Sequence, residues 1–299
     1  MIATDLINSI HDIVKGTCLI DEPLYKHTSL NIGGNVKIWI EPRDIEDLRN
    51  ILKGIHENRL TWYVIGNGSN ILAGENNLPD IVIKLINFNS ISVKDNLIKA
   101  ESGVSLAKLT GFAIEHGLTG LEFLAGIPGL VGGAIKGNAG AHGRSIADVL
   151  EEITVMDYNG EVFKISRKNI NYEYRKSNLG DGLIILDCFL NLVSGDKEKM
   201  QDLVKTYLTK RKEFFPSEPN AGSIFKNPKN ERAGEIIDRL GLKGFKIGNA
   251  MVSHQHANMI INTGGAKAND ARELIKYIRD VVYKEKGILL ETEIVFIGD

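Results

Sequence analysis

A chain of 299 residues exceeds the usual size of one hydrophobic core, so two domains are expected. Its 43% apolar and 25% charged residues are those of an ordinary globular protein, and a net charge of −2 offers no field to attract nucleic acid or an anionic membrane, so neither is expected as a partner. No run approaches the roughly 18 apolar residues of a membrane span. The start, Met1 to Leu6, lacks the basic segment of a leader, so a cytoplasmic location without membrane insertion is expected. Cys18 and Cys188 stand far apart among apolar neighbours, which predicts two buried, reduced thiols.

Along the chain, Val36 to Ile40 alternates as a strand, and Asp44 caps a helix with Ile45, Leu48, Leu52 and Ile55 on one face. Strands follow at Trp62 to Ile65 and Ile81 to Leu85. Short strands from Ile91 lead to Ser105, the cap of a helix carrying Leu106, Leu109 and Ala113 and closed by Gly117. Beyond a glycine-rich stretch, Ile153 to Asp157 and Val162 to Ile165 read as a hairpin turning at Asn159-Gly160, and Leu183 to Leu192 as a long strand. After Ser194-Gly195-Asp196 comes a helix with Met200, Leu203, Val204, Tyr207 and Leu208 on one side. A short helix holds Ala233, Ile236, Ile237 and Leu240, and a strand covers Met259 to Ile261. A capping pattern, Asp270-x-x-Glu273, introduces a helix burying Leu274, Ile275, Ile278, Val281 and Val282. Ile288 to Ile297 is the last strand. The irregular mixture predicts an α+β fold, with residues 1–194 as one domain (subdomains about 1–86 and 87–194) and 195–299 as the other.

Two glycine clusters invite a ligand. In Gly66-Asn67-Gly68-Ser69-Asn70 a strand stops at a loop rich in backbone N–H groups, an arrangement that suits an anion. It is not a dinucleotide fingerprint, because Ile71 stands where the third glycine belongs, and taken alone the loop reads better as a tight turn without a ligand. The stretch Gly126-Ile127-Pro128-Gly129, through Gly133, to Asn138-Ala139-Gly140-Ala141 is small and apolar. A linker or a glycine-packed helix contact would account for it. Too little area is buried per residue for an ordinary core, and a backbone wrapped against a large flat ligand with a diphosphate fits its apolar character better.

Together with His27-Thr28-Ser29-Leu30-Asn31-Ile32-Gly33-Gly34, these loops resemble the FAD-binding half of the UDP-N-acetylenolpyruvoylglucosamine reductase family, itself related to the vanillyl-alcohol oxidase flavin fold. Three further stretches carry the resemblance through the second half: Tyr174-Arg175-Lys176-Ser177, Ala221-Gly222-Ser223-Ile224-Phe225-Lys226-Asn227-Pro228 and Leu290-Glu291-Thr292-Glu293. The resemblance implies an FAD-binding domain of two small α+β subdomains and an α+β substrate domain. It implies NADPH as a transient hydride donor, a UDP-sugar as substrate, and Arg175, Ser223 and Glu293 as the catalytic set, with Ser223 the general acid. Gly66, Asn67, Gly68, Ser69, Asn70, Gly126, Ile127, Pro128, Gly129, Gly133, Asn138 and Ala139 are expected to hold FAD. Lys226, Asn227, Asn249 and His254 are expected near the substrate.

The chemistry agrees with these residue types. Reduction of an enol ether conjugated to a carboxylate adds hydride at one carbon and a proton at the next, and charge develops towards the carboxylate. Arg175 can grip a carboxylate bidentately, Ser223 can present a hydroxyl, and Glu293 can orient groups or donate a hydrogen bond when protonated. Singly, each reads better as a surface charge or a turn residue; only their occurrence together with the flavin loops reverses this. His254 and His256 alternate as in a strand and would share a face; without a carboxylate partner no metal site is expected.

Overall fold

In the computed structural model, which describes residues 9–298, side-chain periodicity and caps set most local elements where the sequence places them. The stretch Met1 to Leu6 lies outside the described residues. The chain divides into two units.

The first unit comprises residues up to Asp21, Lys37–Gly66 and Asp80–Thr209. Its smaller sheet runs in the order Thr17–Pro23, Asn35–Glu41, Ile81–Lys84, Trp62–Ile65, with the last three parallel. The Asp44 carboxylate caps helix Ile45–Glu57 by accepting the Asp47 N–H, as its position predicts. Leu48, Ile51, Leu52 and Ile55 of that helix are buried with Ile38, Ile40, Ile81 and Ile83. Asp47 is fully buried, yet its carboxylate is saturated by the N–H groups of Lys15, Gly16 and Arg43. The larger sheet is antiparallel, in the order Val162–Ser166, Leu150–Met156, Ile184–Asn191, Leu97–Glu101, Ile91–Lys94. Helix Leu106–Glu115, capped by Ser105, contributes Leu106 and Leu109 to its core.

The hairpin turns at Asn159-Gly160 as expected: strand pairing ends at Met156 and Val162, and the Asp157 carboxylate organises the loop by accepting the N–H groups of Asn159 and Glu161. One expectation needs correction here. The glycine-rich stretch does build core. Its apolar residues recur at helical spacing, so the short helix Val131–Lys136 buries Val131 and Ile135 completely. Helix Lys197–Phe214 forms, but Met200 is its only buried residue, and Leu203 and Leu208 stay 40% and 46% exposed.

The second unit is discontinuous: Glu22–Val36, Asn67–Pro79 and Lys210–Asp299. Its antiparallel sheet runs Asn220–Ser223, Met259–Asn262, Ala250–Val252, Lys246–Ile247. Helix Ala268–Lys286 buries Leu274, Ile275, Ile278 and Val282. It starts two residues earlier than Asp270 suggests. Asp270 caps from inside the first turn, accepting the N–H groups of Lys267 and Asn249, while Glu75 accepts that of Ala268. The expected strand 288–297 is shorter, and only Val295–Ile297 pairs in register. Its parallel partner, Ile71–Ala73, had no strand signal of its own because three residues are too few to show alternation. Among the described residues no helix is long and apolar enough to cross a membrane.

Asp47→Ala strands three backbone donors in the first unit. It should lower stability to urea by at least about 2 kcal/mol, the scale for buried groups losing their partner, without altering turnover per folded molecule; equilibrium unfolding measures it.

Candidate active site

In the first unit Arg175 sits at the turn of a hairpin pairing Tyr172–Glu173 with Lys176–Ser177. Its φ is +57°, a conformation that glycine adopts without cost and a long side chain does not. The guanidinium is held on two sides. That group donates to the Gly140 carbonyl at 2.6 Å and lies over the Tyr174 ring, 5.0 Å from its centroid. The hairpin is docked on the glycine-rich stretch by two more bonds. Asn138 Nδ2 donates to the Glu173 carbonyl (2.9 Å), and Ser177 Oγ donates to that of Lys136 (2.7 Å). The expected cofactor stretch and the expected carboxylate clamp are thus one assembly.

Two kinds of glycine occur in the expected cofactor loops. A Cβ added at Gly66 or Gly133 would meet nothing within 4 Å. One at Gly132 would come within 3.0 Å of the Ser102 side chain, and one at Gly68, whose φ is +62°, would strike the His27 carbonyl at 2.0 Å. Gly68 and Gly132 therefore serve internal packing, whereas Gly66 and Gly133 leave open the space a large ligand would fill. Ser102 adds a second sign: its buried hydroxyl has no hydrogen-bond partner among the described residues. These features fit a bound FAD. The sequence reading missed Ser102, whose only signal is its place after a strand and before Gly103.

In the second unit Ser223 ends strand Asn220–Ser223, directly after Gly222, which takes φ +75°. The next residues pair with the C-terminal segment. The Glu293 N–H donates to the Ile224 carbonyl (2.8 Å), Phe225 bridges to Thr292, and the Lys226 N–H donates to the Glu291 carbonyl (2.8 Å). Ser223 and Glu293 therefore stand on neighbouring paired segments. Asn70 joins them: its Nδ2 donates to the Glu293 carbonyl (3.0 Å), and its own carbonyl accepts the Val295 N–H (3.0 Å).

The other candidates separate by position. Lys226 Nζ is held by Glu291 at 2.8 Å, and Asn227 Oδ1 accepts the Ala233 N–H at the start of helix Ala233–Arg239. Asn249 lies at the Asn262 end of strand Met259–Asn262, opposite the Met259 end where Ser223 pairs. His254 and His256 are not on a strand. They occupy the turn after Ala250–Val252, His254 exposed and His256 packed against the Phe215 ring. Consecutive hydrogen bonds to Ser253 Oγ from the Gln255 and His256 N–H groups wind that turn and break the alternation. Burial, aided by the positive charge of Lys243, holds the His256 imidazole below its ordinary range. Among the described residues no three His, Cys, Asp or Glu side chains are grouped to hold a metal ion.

Comparison with known proteins covers both halves. Residues 215–297 match the family model described as the UDP-N-acetylenolpyruvoylglucosamine reductase C-terminal domain, and residues 36–166 match an FAD binding domain. The chain is 36% identical over 294 residues to the UDP-N-acetylenolpyruvoylglucosamine reductase of Clostridium tetani, covering 98% of this chain and 96% of that protein. The crystal structure of the corresponding reductase from Thermus caldophilus is 33% identical with a TM-score of 0.80, covering 95% of this chain and 99% of that one. A variant of berberine bridge enzyme, 19% identical with a TM-score of 0.51 over 65% of this chain and 44% of that one, shares the flavin fold alone.

The two kinds of glycine should separate on substitution. Gly133→Val should keep the melting temperature of flavin-free protein within about 2 °C, a fraction of a kcal/mol, and weaken FAD binding at least about tenfold, a loss of ~1.4 kcal/mol. Gly132→Val should lower the melting temperature of the flavin-free protein itself. Scanning calorimetry with flavin titration reads both. The depressed His256 makes a second prediction. As pH falls, the unfolded chain takes up this proton first, so the stabilising contribution is complete above about 6.5, the ordinary imidazole value, and lost below it. His256→Gln should flatten the fall of melting temperature between pH 7 and 5.

Proposed function

Because the chain belongs to the UDP-N-acetylenolpyruvoylglucosamine reductase family, we infer how its residues divide the work of reducing the enolpyruvyl group to give UDP-N-acetylmuramate. The protein is an FAD-dependent oxidoreductase of peptidoglycan precursor synthesis, with NADPH as the hydride donor. The residues assigned to FAD would hold a group that supplies hydride transfer between NADPH and the enolpyruvyl substrate. The observation that carries the division of labour is the backbone pairing of Ser223's segment with that of Glu293.

Ser223 gives its hydroxyl proton to the carbon next to the one that receives hydride. Arg175 grips the substrate carboxylate and stabilises the charge that develops there, with its guanidinium pre-aimed by the Gly140 carbonyl. Glu293 orients the reacting group from the paired segment. Gly66 to Asn70, Gly126 to Gly129, Gly133, Asn138 and Ala139 are assigned to FAD; Gly66 and Gly133 are supported by the open space beside them, whereas Gly68, which also packs against the His27 carbonyl, keeps its assignment on resemblance alone. Lys226, Asn227 and His254 are assigned to the nucleotide sugar, and Lys226 would exchange Glu291 for a phosphate. Asn249 keeps that assignment on resemblance alone. In this reading residues 1–194 form the FAD-binding domain and 195–299 the substrate domain, the protein is cytoplasmic, and it has no nucleic-acid partner and no membrane insertion.

The test separates the two half-reactions. NADPH oxidation needs no proton donor to substrate, so Ser223→Ala should stay yellow and bleach with NADPH at a near-parental rate. Reoxidation by the enolpyruvyl substrate should slow by roughly 10²–10⁴-fold, as for a lost general acid. Stopped-flow absorbance follows both, and parental reoxidation in Ser223→Ala would sink the mechanism.

A further inference from the structure

We propose that Asn258 is a positioning residue for the Ser223 hydroxyl, its side-chain amide standing in for a missing peptide in the ladder that sets Ser223 beside Glu293. The proposal rests on the reading of Ser223 as proton donor.

The need for Asn258 follows from the ladder. Strand Asn220–Ser223 pairs with Met259–Asn262 through Asn220 with Ile261 and Ser223 with Met259, and the register shifts between them. The left-handed Gly222 absorbs the shift, its N–H turned to Asn220 Oδ1 (3.0 Å). Ser223 is thus the residue at which the chain re-enters regular pairing. Its partner strand begins at Met259, however, and residues 253–258 turn away, closed by the bond from the Met259 N–H to the His256 carbonyl. Regular pairing would stop at the serine, leaving the next two residues loose on that edge.

Asn258 continues it. Its main-chain carbonyl accepts the Ile224 N–H at 2.9 Å. Its Oδ1 accepts the Phe225 N–H at 3.0 Å, and its Nδ2 donates to the Phe225 carbonyl at 2.8 Å. A primary amide carries donor and acceptor in one plane, as a peptide does, so it can satisfy both groups of one residue together. Asn258 is 4% and Phe225 1% exposed, so water cannot readily replace either bond. On the opposite edge the Ile224 carbonyl accepts the Glu293 N–H at 2.8 Å. The Ile224–Phe225 peptide is therefore gripped on both edges, and with the Ile224 N–H held by the Asn258 carbonyl this fixes the direction of the serine Cα–Cβ bond relative to Glu293.

Asn262 supplies the contrast. It is also buried and lies at the other end of the same strand, but its amide serves Leu30, Asn31, Gly264 and Ala266, all remote in sequence from Ser223. Its loss should cost stability without selecting one half-reaction.

The experiment compares Asn258→Asp, Asn258→Ser and Asn262→Asp in the flavin-loaded enzyme. Asn258→Asp is nearly isosteric and keeps the acceptor for the Phe225 N–H but sets a carboxylate oxygen against the Phe225 carbonyl, whereas Asn258→Ser removes the amide without adding charge, so each guards against a failure of the other to fold. Both Asn258 variants should bleach with NADPH within about twofold of the parent. Their reoxidation by the enolpyruvyl substrate should slow by roughly 10- to 100-fold, the scale for a misplacement near one ångström. Combining either with Ser223→Ala should add no further slowing to that of Ser223→Ala alone. Parental reoxidation in Asn258→Asp overturns the proposal, as does equal slowing of both half-reactions or slowing that adds to that of Ser223→Ala. Failure of the underlying reading has a different signature, parental reoxidation in Ser223→Ala itself.

Discussion

The second unit depends on its C-terminal segment, residues 291–297, which pairs in turn with two stretches far away in sequence. Residues 291–294 lie along the segment that follows Ser223, and Val295–Ile297 lies parallel to Ile71–Ala73. The bond from Asn70 to the Glu293 carbonyl spans 223 residues of sequence. Such a contact brings no local gain to offset its ordering cost, so it forms only where a core already holds both partners. That core is the cluster in which Leu30, Leu72, Ile224, Phe225, Leu274, Leu290 and Ile294 are buried together. A serine and a glutamate, ordinary when taken separately, come to stand on paired segments because apolar burial brings their backbones into hydrogen-bonding range.

Asparagine recurs wherever this unit must join irregular backbone. Asn70 holds the Glu293 carbonyl, Asn258 replaces a peptide beside Phe225, and Asn262 gathers the 30–31 and 264–266 segments. Carboxylates do the same where only donors must be collected, as Asp47 does for three N–H groups and Asp270 for two. The choice follows the need: an amide where a carbonyl must also be served, a carboxylate where it need not. Glycine, by contrast, divides between positions where a side chain would collide with protein and positions where it would collide with nothing.

Most secondary structure was legible because its signals are local. Asp44 and Ser105 cap the helices they precede, and apolar spacing marks the faces of helices Ile45–Glu57 and Ala268–Lys286. Legibility failed where a short element borrows its stability from a remote partner, as in Ile71–Ala73, or where a cap acts from inside its helix, as Asp270 does. It failed again in the glycine-rich stretch, where sparse large side chains concealed a buried helical turn. For helix Lys197–Phe214 the apolar side was readable, but its burial was not, because burial belongs to the partner surface rather than to the helix.

The amino-acid sequence by itself determined the α+β character and the family resemblance and marked Arg175, Ser223 and Glu293 as the candidates, since these reside in short motifs that can be read without coordinates. Only the tertiary structure decided that unit two is assembled from three separated stretches, that Ser223 and Glu293 share a paired backbone, that Asn138 and Gly140 brace the Arg175 hairpin, and that Asn258 extends the ladder past its end. Each of these is a hydrogen bond between groups every residue carries, or an amide reaching one. Nothing in residue type records which remote peptide such a group will meet; that is settled when burial excludes water and each polar group must find its partner within the chain.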